Sequence, residues 1–176
     1  MTKTSYTLSM APLIDSVLAG AGALAGLVLL TFAQAELPKL GDLHEMVPGD
    51  LKCVCPPLAA TACLLFCLPP SDKGPQSPRN IVLSHLIASV AALAVVLSGI
   101  PQAPAVAAAL AIGGMKLTDT VHPPAAPYAF VFASSKWGVQ QIFAPGLLGA
   151  VMLVAIHKVW ILTTAAIKGS PKAKAA

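Results

Sequence analysis

Charged residues divide the chain into long apolar stretches. Five stretches carry no Asp, Glu, Lys or Arg, and they are 20, 19, 36, 16 and 21 residues long. A helix of about 20 apolar residues crosses the hydrocarbon core of a bilayer. The stretches lack the alternation of a transmembrane β-barrel, so they predict an all-α integral membrane protein. They are Ser16–Ala35, Cys53–Ser71, Asn80–Met115, Thr120–Ser135 and Trp137–His157.

The lengths of these stretches predict a polytopic bundle of about five spans. The 36-residue stretch is long enough for two helices, which Pro101 and Pro104 separate because proline ends or kinks a helix. Ser77 and Pro78 form a typical helix start, with serine as N-cap and proline in the first turn. Five spans would leave the two ends of the chain on opposite sides of the membrane. The predicted helices are Leu13–Ala35, Pro56–Leu68, Ile81–Gly99, Ala103–Leu117 and Gln141–Ala166.

One apolar stretch is not predicted to be a span. Thr120–Ser135 contains His122-Pro123-Pro124, where two prolines remove two backbone donors, and only about twelve apolar residues follow. Irregular backbone at membrane depth persists only where protein or a water-filled cavity satisfies it. We therefore predict a broken, re-entrant segment at these prolines. A kink is expected near Pro145-Gly146 in the last helix.

Composition excludes several classes of protein. Only 10% of the residues are charged and 56% are hydrophobic, which excludes a soluble domain, a disordered chain and a nucleic-acid-binding module. The net charge of +4 reflects a basic tail that we expect to face lipid headgroups. We predict one membrane domain over residues 1–176, with a core at 53–160, an additional helix and polar loop at 1–52, and the tail at 167–176.

Polar residues inside the predicted membrane region are the candidate functional residues, because buried ionisable groups are costly there. Arg79 stands at a helix start, where free N–H groups and the helix dipole attract anions. Asn80, Ser84 and His85 follow on the same helix, and His122 lies where the backbone breaks. The predicted substrate-binding residues are Arg79, Asn80, Ser84, His85 and His122. The predicted structural residues are Pro78, Pro123 and Pro124.

Each candidate also has a purely structural interpretation. Arg79 is equally typical of an anchor that faces lipid headgroups, and His122 of a backbone cap. His85 fits a packed core histidine, a permeation-site residue, or a ligand of a pigment or haem. His157 could also be a pigment or haem ligand.

The remaining chemistry is sparse. Four cysteines lie in or beside the second predicted span without a histidine in that helix, and we interpret them as packing residues. The sequence contains no nucleophile–base pair, phosphate-binding loop or spaced set of metal ligands. We therefore expect neither enzymatic activity nor a metal or other cofactor.

Several motifs together resemble the HPP family of integral membrane proteins. The signature is His122-Pro123-Pro124, followed by two alanines. Three further segments, in order, resemble the family's remaining motifs, and the resemblance covers about Cys53–Trp160. These segments are Leu58–Phe66, Leu68-Pro69 with Ser77–Asn80 and His85, and Pro145–Ala150.

The resemblance implies a compact helical bundle and transport of nitrite across a chloroplast or cyanobacterial membrane. The resemblance thus predicts a small inorganic anion as substrate and a chloroplast (envelope or thylakoid) or bacterial inner membrane as location. Where the family has glycine, this chain has Ala59, Ser84 and Ala126, and Pro127 follows. Glycine permits close backbone approach, so these replacements keep a second hypothesis open. In it, the protein is a non-transporting accessory subunit of a photosynthetic or respiratory complex. The protein could also assemble as a homo-oligomer in either hypothesis.

Overall fold

A computed structural model describes residues 10–36 and 54–167, and within these residues every regular element is helical. The loop that precedes residue 54, the basic tail and Cys53 lie outside the described residues. The helices are α1 (Met10–Glu36), α2 (Pro56–Cys67), α3 (Pro78–Ser98), α4 (Ala103–Leu117), α5 (Ala125–Ser134) and α6 (Leu148–Ile167), with a π-helical turn at Ile142–Leu147 before α6.

The helices have the apolar character and the lengths of a multi-pass membrane protein. Three stretches are long and apolar enough to cross a bilayer: Ile14–Glu36, Pro78–Ser98 and Ile142–Ala165. The other three helices, α2, α4 and α5, are apolar but have only 12, 15 and 10 residues. The all-α polytopic prediction is confirmed, and the segment after the His-Pro-Pro break proves to be the short helix α5.

Local sequence signals set the helix ends. The Ser77 hydroxyl accepts a hydrogen bond from the Asn80 amide at 3.2 Å, with Pro78 in the first turn, as predicted. Gly99 ends α3 with a φ of 64°, a conformation that glycine adopts without steric cost. The kink predicted at Pro145-Gly146 is present, because the preceding Ala144 has extended rather than helical angles (φ −135°, ψ 127°).

Helix α3 lies at the centre of the bundle and contacts α4, α5, α6 and the π-helical turn. Small residues recur at helical spacing on the facing surfaces, which lets the backbones approach closely. The approach is close at Gly114, where a Cβ atom would lie 2.7 Å from the Ile87 side chain. The fully buried alanines of this interface are Ala88, Ala92, Ala107, Ala111, Ala125 and Ala129.

Helix α1 packs on α2 and α6 through the two glycines of its Gly-x3-Gly face. A Cβ atom at Gly22 would lie 2.5 Å from the Phe66 ring and 2.7 Å from the Trp160 indole nitrogen. At Gly26 it would lie 3.2 Å from Leu153. The aromatic rings of α2 and α6 thus occupy the space that a side chain on this face of α1 would need.

The start of α1 and the end of α6 lie at the same end of the bundle, where both line one cavity. Asp15 near the start of α1, Pro69 after α2 and Thr164 near the end of α6 line this cavity of about 680 Å³. We call this end, with the 68–77 connection, the proline-loop end. Our expectation that five spans place the start of α1 opposite the end of α6 is wrong, because α5 adds a sixth helix and so reverses the chain once more.

Exchanging Gly22 for alanine should weaken the packing of α1. Gly22→Ala and Gly20→Ala gain the same helix propensity, but a Cβ atom at Gly20 meets nothing within 4 Å. Overpacking costs about 1–3 kcal/mol, so Gly22→Ala should melt at a lower temperature in detergent than Gly20→Ala. Equal melting temperatures would contradict the close approach at Gly22.

Positive charge predicts the orientation of the bundle. Among the described residues, Lys73, Arg79 and Lys116 lie at the proline-loop end, whereas at the other end the α3–α4 turn carries no Lys or Arg and the connection after α5 carries Lys136. Cytoplasmic loops carry the excess of Lys and Arg, so in a bacterial host the proline-loop end should face the cytoplasm. In a background without native cysteines, an impermeant maleimide should label Asp72→Cys only in inverted vesicles and Gln102→Cys only in right-side-out vesicles. The reverse pattern would contradict this orientation.

Candidate functional site

The backbone leaves helical geometry between α4 and α5, and this break forms one wall of the candidate site. The break covers residues 118–124, and Asp119 has a positive φ of 52°. Helix α5 restarts on the proline pair, with the Ala125 amide donating to the His122 carbonyl at 3.0 Å and the Tyr128 amide to the Pro124 carbonyl at 3.3 Å. Pro123 and Pro124 thus lie where the irregular backbone passes into α5.

His122 is fully buried at the break and joins three segments of the chain. Its Nδ1 lies 2.6 Å from the Pro75 carbonyl in the 68–77 connection. Its Nε2 lies 3.0 Å from the hydroxyl of Thr61 on α2. A carbonyl only accepts hydrogen bonds, so Nδ1 carries the proton and Nε2 of the neutral ring is the acceptor.

His85 is fully buried on α3, next to His122. The two ring centroids are 5.3 Å apart, and the Tyr128 ring lies 5.5 Å from His85 on another side. The His85 Nδ1 donates to the Ile81 carbonyl at 2.8 Å, whereas its buried Nε2 has no hydrogen-bond partner in the protein. His85 therefore holds an unpartnered acceptor in the apolar interior.

The rings of His122, His85 and Tyr128 form a line of contacts through the bundle, which we call the polar file. It begins at the Pro75 carbonyl, passes through His122, His85 and Tyr128, and ends where the Tyr128 hydroxyl donates to the Gln141 carbonyl at 2.8 Å. The file thus runs from the proline-loop end to the segment that precedes the π-helical turn.

Ser84 and Asn80 hold the irregular backbone around the file. The Ser84 hydroxyl donates to the Thr120 carbonyl in the break. The Asn80 side-chain amide donates to the carbonyls of Lys73 and Gly74 at 3.3 and 3.1 Å, and its Oδ1 is buried without a partner. Both side chains therefore donate their hydrogen bonds to backbone.

Arg79 differs from the other four predicted residues. Its side chain is exposed at the proline-loop end, with one guanidinium nitrogen 3.5 Å from the Asp119 carbonyl. The structure brings Ser84, His85 and His122 together through the break, buries Asn80 one turn earlier on α3, and leaves Arg79 at the surface.

Two members of the site were not anticipated from the sequence. Thr61 lies in an apolar helix and Tyr128 in a helix too short to span, and both are fully buried. A polar side chain in the middle of an apolar run was the available signal. Their partners are 61 and 13 residues away in the chain, so local spacing could not identify them.

The described residues contain no group of three or more His, Cys, Asp or Glu that could hold a metal ion. The Cys63 and Cys67 sulfurs are 4.0 Å apart, and both are free thiols, as is Cys55. Burial raises the pKa of the Cys55 thiol, which precedes α2, to about 11, so it stays protonated and is a poor metal ligand.

A family profile described as the transmembrane region of HPP matches residues 9–165. The chain belongs to the HPP transmembrane family. This match includes the break, the polar file, the first five helices and all but the last two residues of α6, and it extends the resemblance seen at Cys53–Trp160 to α1. The protein is therefore a multi-pass integral membrane protein.

Two curated relatives of this HPP-family chain are transmembrane proteins of Dictyostelium discoideum. One is 34% identical over 106 residues, which cover 54% of this chain and 33% of the relative. The other is 28% identical over 136 residues, which cover 72% of this chain and 47% of the relative. The chain thus spans between a third and a half of the length of these relatives. No solved structure matches the chain.

Removing the Thr61 hydroxyl should destabilise the bundle. Thr61→Val keeps the shape of the side chain but leaves Nε2 of His122 buried without its donor, which costs about 1–3 kcal/mol. Thr31→Val is the matched control, because the Thr31 hydroxyl is exposed and binds only the Leu27 carbonyl of its own helix. Thermal unfolding in detergent should show a clear loss for Thr61→Val alone. Equal stability of the two variants would contradict the role of Thr61 as a donor to His122.

Proposed function

We propose that this HPP-family protein transports a small inorganic anion such as nitrite across its membrane, rather than catalysing a reaction. The observation that supports this proposal is the polar file, because intramembrane ionisable groups facing a bundle interior are typical of ion and proton pathways. His85 and His122 are both fully buried in the bundle, yet neither has an acidic partner there. Packing alone does not require two neighbouring imidazoles.

The entrance of the proposed route is the proline-loop end. Arg79 is exposed there at the start of α3 and can attract an anion with planar paired donors. His122 lies directly beneath the 68–77 connection, held to the Pro75 carbonyl. We therefore assign Arg79 to capture, His122 and His85 to the route, and Asn80 and Ser84 to the walls.

The proposed location is a chloroplast membrane or a bacterial inner membrane. In either, the orientation expected from the positive charges places Arg79 on the side facing the cytoplasm or stroma. Nitrite arriving from that side would meet Arg79 first.

The second candidate function is that of an accessory subunit in a larger membrane complex. The exposure of helix α1 favours this role. Of the 18 residues in its apolar stretch only 17% are buried, against 39% in the corresponding stretches of α3 and of the π-helical turn with α6. Such a helix offers a broad face to lipid or to a partner helix. An accessory role requires no route through the bundle.

Nitrite uptake into liposomes tests the transport proposal. The purified protein should give uptake that saturates with nitrite. Arg79→Gln should lower the rate at low nitrite about threefold, the effect of losing an exposed charge interaction. Lys136→Gln, an exposed cation distant from the proline-loop end, should leave the rate unchanged.

The absence of any nitrite flux above that of protein-free vesicles would overturn this function. The accessory role would then be favoured if the protein extracted in mild detergent migrates with other subunits on native sizing. Migration of this chain alone would count against that role.

A further inference from the structure

We propose that each anion crosses together with one proton, which Nε2 of His85 accepts, so that the transported unit is electrically neutral. This inference rests on the proposed anion transport and specifies its substrate as the weak acid formed by anion and proton. The proposal follows from which hydrogen-bond donors and acceptors already have partners in the fold and which do not.

The side-chain donors next to the two histidines already donate within the protein. The Nδ1–H groups of His85 and His122 donate to the carbonyls of Ile81 and Pro75. The hydroxyls of Ser84 and Ser89 donate to the carbonyls of Thr120 and His85. An anion that arrives alone finds acceptors and π-faces around it, and neither of these stabilises negative charge.

The buried atoms without a partner are all acceptors. Within the described residues they are Oε1 of Gln76, Oδ1 of Asn80 and Nε2 of His85. Of these three atoms, only the imidazole nitrogen of His85 is a base that can accept a proton. Protonation converts His85 Nε2 from an acceptor into an N–H donor with no competing carbonyl, and so supplies what an anion needs.

Proton and anion then depend on each other. An isolated imidazolium in an apolar interior is costly, and so is an isolated anion. The weak acid HX transfers its proton to Nε2: the H–X bond breaks, the N–H bond forms, and X⁻ remains paired with the imidazolium. Release reverses the transfer, with no oxidant, reductant or other reactant. The two ligands therefore bind cooperatively.

His122 is the first imidazole that the proton of HX meets on its way to His85. The Thr61 hydroxyl lies 3.0 Å from His122 Nε2 and 3.3 Å from the Pro57 carbonyl, so it can donate to either. When His122 is protonated, its Nε2–H donates to Thr61, and Thr61 donates to Pro57. His122 can thus carry a proton without losing a hydrogen bond, 5.3 Å from the deeper ring.

The other titratable groups near His85 are few. Tyr128 faces it from α5, His122 faces it from the break, and the Cys55 thiol lies near Tyr128. No Asp, Glu, Lys or Arg is among the buried residues of the described chain. A proton on His85 therefore has no fixed counter-ion, and an anion in the file is the available one.

Measurement of stoichiometry and voltage dependence tests the proposal with sodium nitrite as the probe. Liposomes in mildly alkaline buffer contain a pH dye, and valinomycin with potassium sets the membrane potential. We expect lumenal acidification of one proton per nitrite, above protein-free vesicles, at a rate that the potential does not change. In weakly buffered detergent solution, nitrite should also cause the protein to take up about one proton.

His85→Gln cannot accept this proton, so it should lose both nitrite-coupled acidification and nitrite-induced proton uptake. His157→Gln is the control, because His157 lies on α6 against the Phe66 ring, outside the file. Nitrite flux that follows the membrane potential without acidification overturns the proton coupling and leaves the proposed function standing. Absence of both flux and proton uptake overturns the two together.

Discussion

The structure depends on one constraint, which is that backbone polar groups outside helices must find partners in an apolar interior. Two connections, residues 68–77 and 118–124, bring irregular backbone against the bundle core. Side chains satisfy their carbonyls: Asn80 binds those of Lys73 and Gly74, His122 that of Pro75, and Ser84 that of Thr120. An unsatisfied group would cost several kcal/mol in lipid, so these polar residues are as necessary to the fold as the alanine faces.

The same constraint explains the position of α3. Its first two turns present Asn80 and Ser84 to the two irregular connections, while its later turns present Ala88 and Ala92 to α4 and α5. One helix thus combines a polar end with a closely packed apolar end. The polar file crosses α3 where these two regions meet, at His85.

Local signals predicted much of the fold. The Ser77 cap, the bounds of α4 and the kink near Pro145 follow from residues adjacent in sequence, and the family motifs indicated the bundle. The direction of α5, the packing of Phe66 on Gly22, and the Thr61–His122 contact could not be derived in this way. They depend on which segments meet in three dimensions, and no periodicity in a single sequence encodes that. The sequence predicted Asn80 and Ser84 as substrate-binding residues, but it could not show that backbone carbonyls occupy their donors.

The structural and functional interpretations of the buried histidines are compatible, because an imidazole has two nitrogens. In both His85 and His122 the Nδ1–H binds a carbonyl and fixes the ring and its tautomer. Because Nδ1 carries the proton, Nε2 of the neutral ring is the acceptor, and the fold fixes the direction of its lone pair. On His122 it meets a hydroxyl that can change its acceptor, and on His85 it meets no partner. A residue that only packed would have no reason to leave a buried lone pair unsatisfied, since an apolar side chain of similar size avoids that cost. Among the three buried side-chain atoms without a partner in the described residues, Nε2 of His85 is the one base, and it is therefore the place where a proton and its anion gain most by binding.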